Sequence, residues 1–271
     1  MSYIKNWDQR VNNHHKQSES KITNKQNEDF WEGKVAGFIP PELPDYNDPT
    51  LSFLQTHLIP KSSLLDLGGG AGRLSIPLAH KNHLVTIVDS SKAMIHAADQ
   101  HSNFLKLKNV STFHSKWEDF ANNKYDHIIC THVIYGVLNI EDFILKIKSS
   151  INKTAIIIMY DKSPQSYLAS LWELYYSEQR INLPGITELR YVINELNIEY
   201  QFYNIEENDF PIFDDFDTLL ESVTSQIFVT PTNDNINKLS DILHKYMINK
   251  NDQFIFPVKS KRKLQAIIIQ N

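Results

Sequence analysis

Between residues 62 and about 206, short apolar runs alternate with stretches whose apolar positions recur at helical spacing. The runs at 63–67 (SLLDL), 84–88 (LVTIV), 110–114, 125–130 (YDHIIC) and 154–160 (TAIIIMY) predict strands, and their near-continuous Ile and Val predict burial on both faces. Helices are predicted between them at about 72–81, at about 91–103 and over EDFILKIKSSI. ITELRYVINELNI then reads as a helix, EYQFYNI (199–205) as a sixth strand and KLQAIIIQ (263–270) as a seventh. Such alternation predicts an α/β fold, a doubly wound sheet with helices on both faces.

Two stretches break the rhythm. PQSYLASLWELYYSEQ is aromatic-rich at helical spacing and fits no strand slot, and the excursion 208–258 carries helix candidates at about 214–226 and 234–249 on either side of VTPTND. Both are predicted to rise from the ligand-binding edge or its flank as a helical lid over a small, enclosed acceptor. The competing reading is extra core packing or a dimer face, the usual fate of an aromatic stripe. At the other end, Tyr3, Ile4, Trp7 and Val11 recur at helical spacing before the chain turns polar, which predicts a docking helix with a flexible strap; the competing reading is a partly disordered terminus.

Composition narrows the class. The chain has 271 residues, 41% of them hydrophobic, enough for a sizeable core. Its single cysteine, Cys130, excludes an internal disulfide and fits a reducing compartment, predicted to be the cytoplasm. The N-terminus lacks the apolar core of a signal peptide, and no run approaches the ~20 apolar residues that span a bilayer, so no membrane partner is expected. A formal charge of −5 argues against a protein whose main task is holding nucleic-acid backbone. The one basic cluster, KSKRK at 259–263, reads as a solvated loop.

Half of the chain's 8 glycines stand in one turn, LLDLGGGAGRLSIPLA. Glycine is needed where a chain reverses sharply or a ligand comes against the backbone. Gly68, Gly70 and Gly72 are spaced G-x-G-x-G, and Arg73 stands where a dinucleotide fingerprint wants its third glycine. Asp66, two residues before Gly68, would repel a pyrophosphate but suits a ligand carrying an ammonium and a sulfonium, as S-adenosylmethionine does. Asp89 ends the second strand, 21 residues after Gly68, where a carboxylate can take both hydroxyls of a ribose. The alternative for Asp89 is a favourable charge at a helix start.

The stretches LLDLGGGAGRLSIPLA, VTIVDSSKAMI and YDHIICTHVIYGV resemble three motifs of class I S-adenosylmethionine-dependent methyltransferases, over roughly residues 30–160. The resemblance implies a Rossmann-like seven-stranded sheet with its last strand antiparallel, and S-adenosylmethionine (SAM) as cofactor. It divides the chain into an N-terminal helix and strap (1–30), a SAM-binding core (31–162), a helical insertion (163–186), a core helix and strand (187–206), a second helical insertion (207–258) and a C-terminal core strand (259–271). The implied cofactor-binding set is Asp66, Gly68, Gly69, Gly70, Gly72, Asp89, Ser90, Met94, Lys116, Trp117, Glu118, Thr131 and Trp31. Family members often place an acid after the third strand to hold the adenine amino group. Here HSKWED puts Lys116 at that position, which shifts the task to the Trp117 backbone and ring, with Glu118 or Asp119 as acceptors; the competing reading of Trp117 is a core residue.

Methyl transfer from a sulfonium is an in-line displacement, so the protein needs chiefly to align acceptor and methyl and exclude water. The resemblance puts the THVIYGV loop beside the sulfonium, making His132 a candidate general base and Tyr135 an orienting group, with Tyr160 and Asp161 from YDK as further candidates. A structural histidine is the competing reading of His132. His80 and His83 in HKNH have metal-compatible spacing but no acid or cysteine to complete a site, and read as surface histidines. No metal is expected. The function that follows is SAM-dependent methylation of a small molecule with release of S-adenosylhomocysteine (SAH). The alternatives are an RNA or protein methyltransferase, a SAM-dependent enzyme of elimination, cyclisation or aminopropyl transfer, and a non-catalytic SAM-binding subunit.

Overall fold

The isoleucine runs assemble side by side. The computed structural model describes residues 2–22, 29, 31–42, 45–81, 83–205, 212–251, 253–257 and 262–271. Its strands in chain order are β1 (Ser63–Leu67), β2 (Leu84–Asp89), β3 (Val110–His114), β4 (Tyr125–Thr131), β5 (Ile151–Tyr160), β6 (Tyr200–Ile205), three short strands β7 (Ile212–Phe213), β8 (Ile248–Lys250) and β9 (Gln253–Ile255), and β10 (Leu264–Gln270). Seven of them form one sheet in the order β3-β2-β1-β4-β5-β10-β6. β10 runs antiparallel to both neighbours and the other pairings are parallel.

The helices are α1 (Tyr3–Glu19), α2 (Pro49–His57), α3 (Ser75–Ala79), α4 (Lys92–Phe104), α5 (Ile140–Ser149), α6 (Ala169–Tyr176), α7 (Ile186–Glu195), α8 (Phe216–Gln226) and α9 (Asn233–Tyr246). Successive strand residues face opposite layers, and β5 shows it plainly. Ile157 and Met159 join the core under α1, α5 and α7, whereas Ile156 and Ile158 join the core under α2, α3 and α4. That double burial is why these strands read as continuous apolar runs rather than as alternation.

A third core stands apart from the sheet. Leu171, Trp172 and Tyr175 of α6 pack with Leu219 and Val223 of α8, Leu239 and Leu243 of α9, and Phe256. The stretch expected to be purely helical also carries a small sheet in the order β7-β9-β8. The helix expected to reach residue 249 stops at Tyr246 because 248–250 pairs with 253–255 through a turn in which Asn251 takes φ 53°. Where the chain leaves β5 for this lobe and returns from it to β10, the two segments are bonded together: the Asp161 N–H donates to the Lys263 carbonyl (3.0 Å), and the Lys263 N–H donates to Asp161 Oδ1 (2.8 Å). Residues 259–261 of the basic cluster lie outside the described residues. No helix among the described residues is long and apolar enough to cross a membrane.

α1 is held on the sheet by its buried face. Trp7 and Val11 are inaccessible to solvent or nearly so, the Trp7 indole N–H donates to the Val137 carbonyl (3.0 Å), and Asp8 accepts from the Ile140 N–H (3.2 Å). Truncating Trp7 to alanine is expected to cost about 3–5 kcal/mol of stability, read as a lowered midpoint in urea unfolding.

Candidate active site

The parallel strands end at one edge of the sheet, and the chain leaves β1 for one side and β4 for the other, which opens a crevice between their ends. The glycine turn fills the β1 side. Gly68 and Gly69 both donate to the Val88 carbonyl (2.7 and 3.3 Å), and Gly72 donates to the Gly69 carbonyl (2.9 Å). Gly68 (φ 68°), Gly70 (φ 56°) and Gly72 (φ 84°) occupy the left-handed region. A β-carbon on Gly68 would overlap the Val133 side chain, and one on Gly72 would stand 2.7 Å from Ile76 Cδ1. Gly72 therefore serves helix packing, while Gly68 lets the loop after β4 come against the turn.

Two acids flank the turn. Asp66 lies beneath Gly69 and is 3% exposed, and burial pushes its carboxyl up to about 7, helped by the charge of Asp89. Asp89 is raised as well, by burial, although Gly70 N–H donates to Oδ2 (2.9 Å) and Ser91 N–H to Oδ1 (2.8 Å). A third acid comes from the strap. Asp29 accepts from the Ser91 hydroxyl (2.8 Å), the Ala93 N–H (3.2 Å) and the Trp31 N–H (3.0 Å). Burial works against its charge, but these donors hold its carboxyl below the usual range. Asp29 so ties the chain to the start of α4, and the following 3₁₀ turn (Glu32–Phe38) packs Val35 on Ala71, Met94 and Ala97.

The crevice has a volume of about 950 Å³, towards the upper end of the ~300–1,000 Å³ of small-molecule sites. Of the residues singled out from the sequence, Asp66, Gly68, Gly69, Gly70, Asp89, Ser90, Met94, Lys116, Trp117, Glu118, Thr131, His132 and Trp31 line it. Tyr135, Tyr160, Asp161 and Gly72 do not. Tyr135 is buried, its hydroxyl accepting from the Tyr160 N–H (2.6 Å) and lying 3.1 Å from His132 Nδ1. The Tyr160 ring stacks on the His132 ring (4.8 Å) and also meets the Arg262 guanidinium (4.5 Å). Asp161 is engaged at the lobe's stem.

Trp117 belongs to the core as well as to the cleft wall: it is 5% exposed, its indole N–H donates to the Phe143 carbonyl (3.4 Å), and its own carbonyl accepts from Lys146 Nζ (2.6 Å). His83 is buried beside the Ser62 hydroxyl (3.1 Å) instead of lying on the surface. No cluster able to hold a metal occurs among the described residues. The roof differs from the expected one. Among the described residues, Trp31 and Phe38 at the two ends of the 3₁₀ turn and His15 from α1 line the cleft, and nothing from 164–180 or from the second insertion does. Trp31 was among the residues singled out from the sequence; Phe38, His15 and Asp29 were not.

The donor set fits an adenosine joined to a cationic tail. A desolvated acid lies under a turn bare of side chains, and a second acid stands one turn away. Thr131 Oγ1 is buried with no partner among the described residues. Arg73, the cation nearest to a phosphate role, is paired with Asp48 (3.3 Å). Fold and cleft together define a class I SAM-dependent methyltransferase. The family described as "Methyltransferase domain" matches residues 60–209, more than half of the chain, and the protein belongs to it, with SAM as cofactor.

The chain is 27% identical over 175 residues to a ubiquinone biosynthesis O-methyltransferase of Rickettsia prowazekii, covering 59% of this chain and 69% of that one. It is 41% identical over 80 residues to ribosomal RNA small subunit methyltransferase G of Oenococcus oeni, covering 27% and 33%. Among solved structures, coclaurine N-methyltransferase bound to N-methylheliamine and SAH shares the fold, with a TM-score of 0.52, 14% identity and coverage of 97% of this chain and 87% of that one.

Gly68→Ala combines a left-handed backbone with the Val133 overlap. It is expected to cost about 1–3 kcal/mol and to lower SAM affinity, measured by thermal melting with and without cofactor.

Proposed function

We propose that the protein methylates a small molecule bound at the β4-loop end of the cleft. The observation that carries this is Asp66, a carboxyl taken out of water directly under a backbone surface that leaves room for a ligand. In this reading Asp66 faces the cationic amino-acid part of SAM, Asp89 takes the ribose hydroxyls, Thr131 fills its open valence on the same ligand, and Met94, Trp31 and the 116–119 segment enclose the adenine. SAM supplies an electrophilic methyl group on a positively charged sulfur.

The protein's own part is orientation and exclusion of water. His132, beside Tyr135 and stacked on Tyr160, borders the acceptor space, and Trp31, Phe38 and His15 of α1 line the same cleft. The O-methyltransferase it resembles over most of that protein's length is named for a small substrate, and Trp31, Phe38 and His15 of α1 give the cleft an aromatic rim suited to a small acceptor. A cytoplasmic setting accords with the single buried thiol.

Titration calorimetry with SAM and SAH tests the reading, and no binding of either at high micromolar ligand would refute it. Asp89→Ala is expected to weaken SAM about tenfold or more, since it removes charge-assisted hydrogen bonds. Mass spectrometry of turnover with a metabolite extract is expected to show SAH; methylthioadenosine would instead mark a non-methylating reaction. The pH dependence has a definite sign. A cation binds the ionised Asp66, whose carboxyl in the free protein holds its proton up to about pH 7. SAM affinity should therefore be full above pH 7 and fall towards pH 5.5, approaching tenfold per unit, with a flattened slope in Asp66→Asn.

A further inference from the structure

We propose that His15 of α1 is the group that takes the acceptor's proton, an assignment resting on the methyltransferase reading above. Trp7, Val11 and His15 are four residues apart and share one face of α1. The first two are sealed in the core, and the face then reaches the cleft, where the third position is an imidazole. Gly136 makes room for it. A β-carbon on Gly136 would stand 3.3 Å from His15 Nε2 and 3.9 Å from Cε1, so the ring occupies the space a side chain at 136 would need.

Gly136 closes the short 3₁₀ turn Ile134–Gly136, in the same loop that presses Val133 against Gly68. His15 thus stands at the β4-loop end of the cleft. Neither ring nitrogen has a hydrogen-bond partner among the described residues. Its neighbour His14 contrasts with it: His14 Nδ1 donates to the Ile181 carbonyl (2.6 Å) and Nε2 accepts from Arg180 (2.8 Å), leaving no valence for chemistry.

The charged groups that act on His15 are Glu19 on its own helix and Arg180 from the segment packed against α1, and the His14 ring lies at 6.1 Å. Burial, with Arg180, outweighs Glu19 and keeps the imidazole below its ordinary value, hence neutral near pH 7. In the step itself the acceptor's heteroatom bonds to the methyl carbon, the carbon–sulfur bond breaks with its pair left on sulfur, and the heteroatom's proton passes to His15 Nε2 and from there to solvent.

The test needs no acceptor. SAM and SAH differ by one methyl group and one positive charge, so a histidine facing the transferable methyl must feel the difference. In protein labelled at histidine and assigned with His15→Gln, the His15 pKa is measured by NMR in the SAM and SAH complexes. The expected result is a value lower with SAM by at least about half a unit, the effect of a unit charge within ~8 Å in a partly screened site, and a neutral ring at pH 7.5. Equal values in two complexes that both form, or a ring still protonated at pH 7.5 with SAM bound, would overturn the assignment and leave the methyltransferase reading intact. Failure of both ligands to bind would remove that reading and this one together.

Discussion

The site rests on a carboxyl denied water. Asp66 lies within the first strand of the sheet, under a turn whose residues cannot carry side chains. Solvent does not reach its charge, and Arg73, the cation that acts on it, is paired with Asp48. Burying an ionised group is costly unless something of opposite sign meets it, and a protein meets that cost by holding the proton until a cation arrives. The free protein is thereby poised for a positively charged ligand and biased against a diphosphate. The bare turn serves the same end: side chains on Gly68 or Gly69 would collide with Val133 or with Asp66 itself, so the geometry that buries the acid also opens the backbone to the ligand.

The sheet order makes that position available. β1 lies between β2, which brings Asp89, and β4, which brings the Thr131–Gly136 loop, so three consecutive strand ends converge on one crevice. The antiparallel β10 lies on the other side of β5 and returns the chain from the lobe to the sheet. Lobe and crevice therefore share an edge without sharing residues among those described.

The sheet and much of the cleft wall were legible because they depend on local signals. Isoleucine runs mark doubly covered strands, and an acid before clustered glycines marks a ligand turn. What escaped depends on contacts distant in sequence. Asp29 sits in a polar stretch and acquires meaning only by accepting from Ser91 and Ala93, more than sixty residues on. α2 had a start signal, Asp48 accepting from the Leu51 N–H with Pro49 at the first helical position, but its apolar pattern is short and was passed over. The strand that begins at Ile248 looked like the end of a helix because Met247, four residues after Leu243, continues the apolar spacing of α9. Tyr135 and Asp161 carried suitable chemistry at suitable places, yet the backbone of Tyr160 and the Lys263 stem take up their polar atoms.

α1 connects the crevice to the lobe, and two adjacent histidines show how. Neighbouring positions on a helix point about 100° apart, so His14 and His15 meet different surroundings. His14 is clamped between the Ile181 carbonyl and Arg180, burial pushes it down to about 4, and the Arg180 guanidinium lies 3.9 Å above Trp172 in the lobe's own core. Lys21 adds an ion pair to Glu178 at 2.9 Å. His15, one residue on, borders the crevice. The clamp fixes the rotation of α1 about its axis, since His14 can keep both bonds in only one orientation. That orientation presents the next side chain to Gly136, so the lobe, none of whose described residues lines the crevice, still helps to set the position of a group that does.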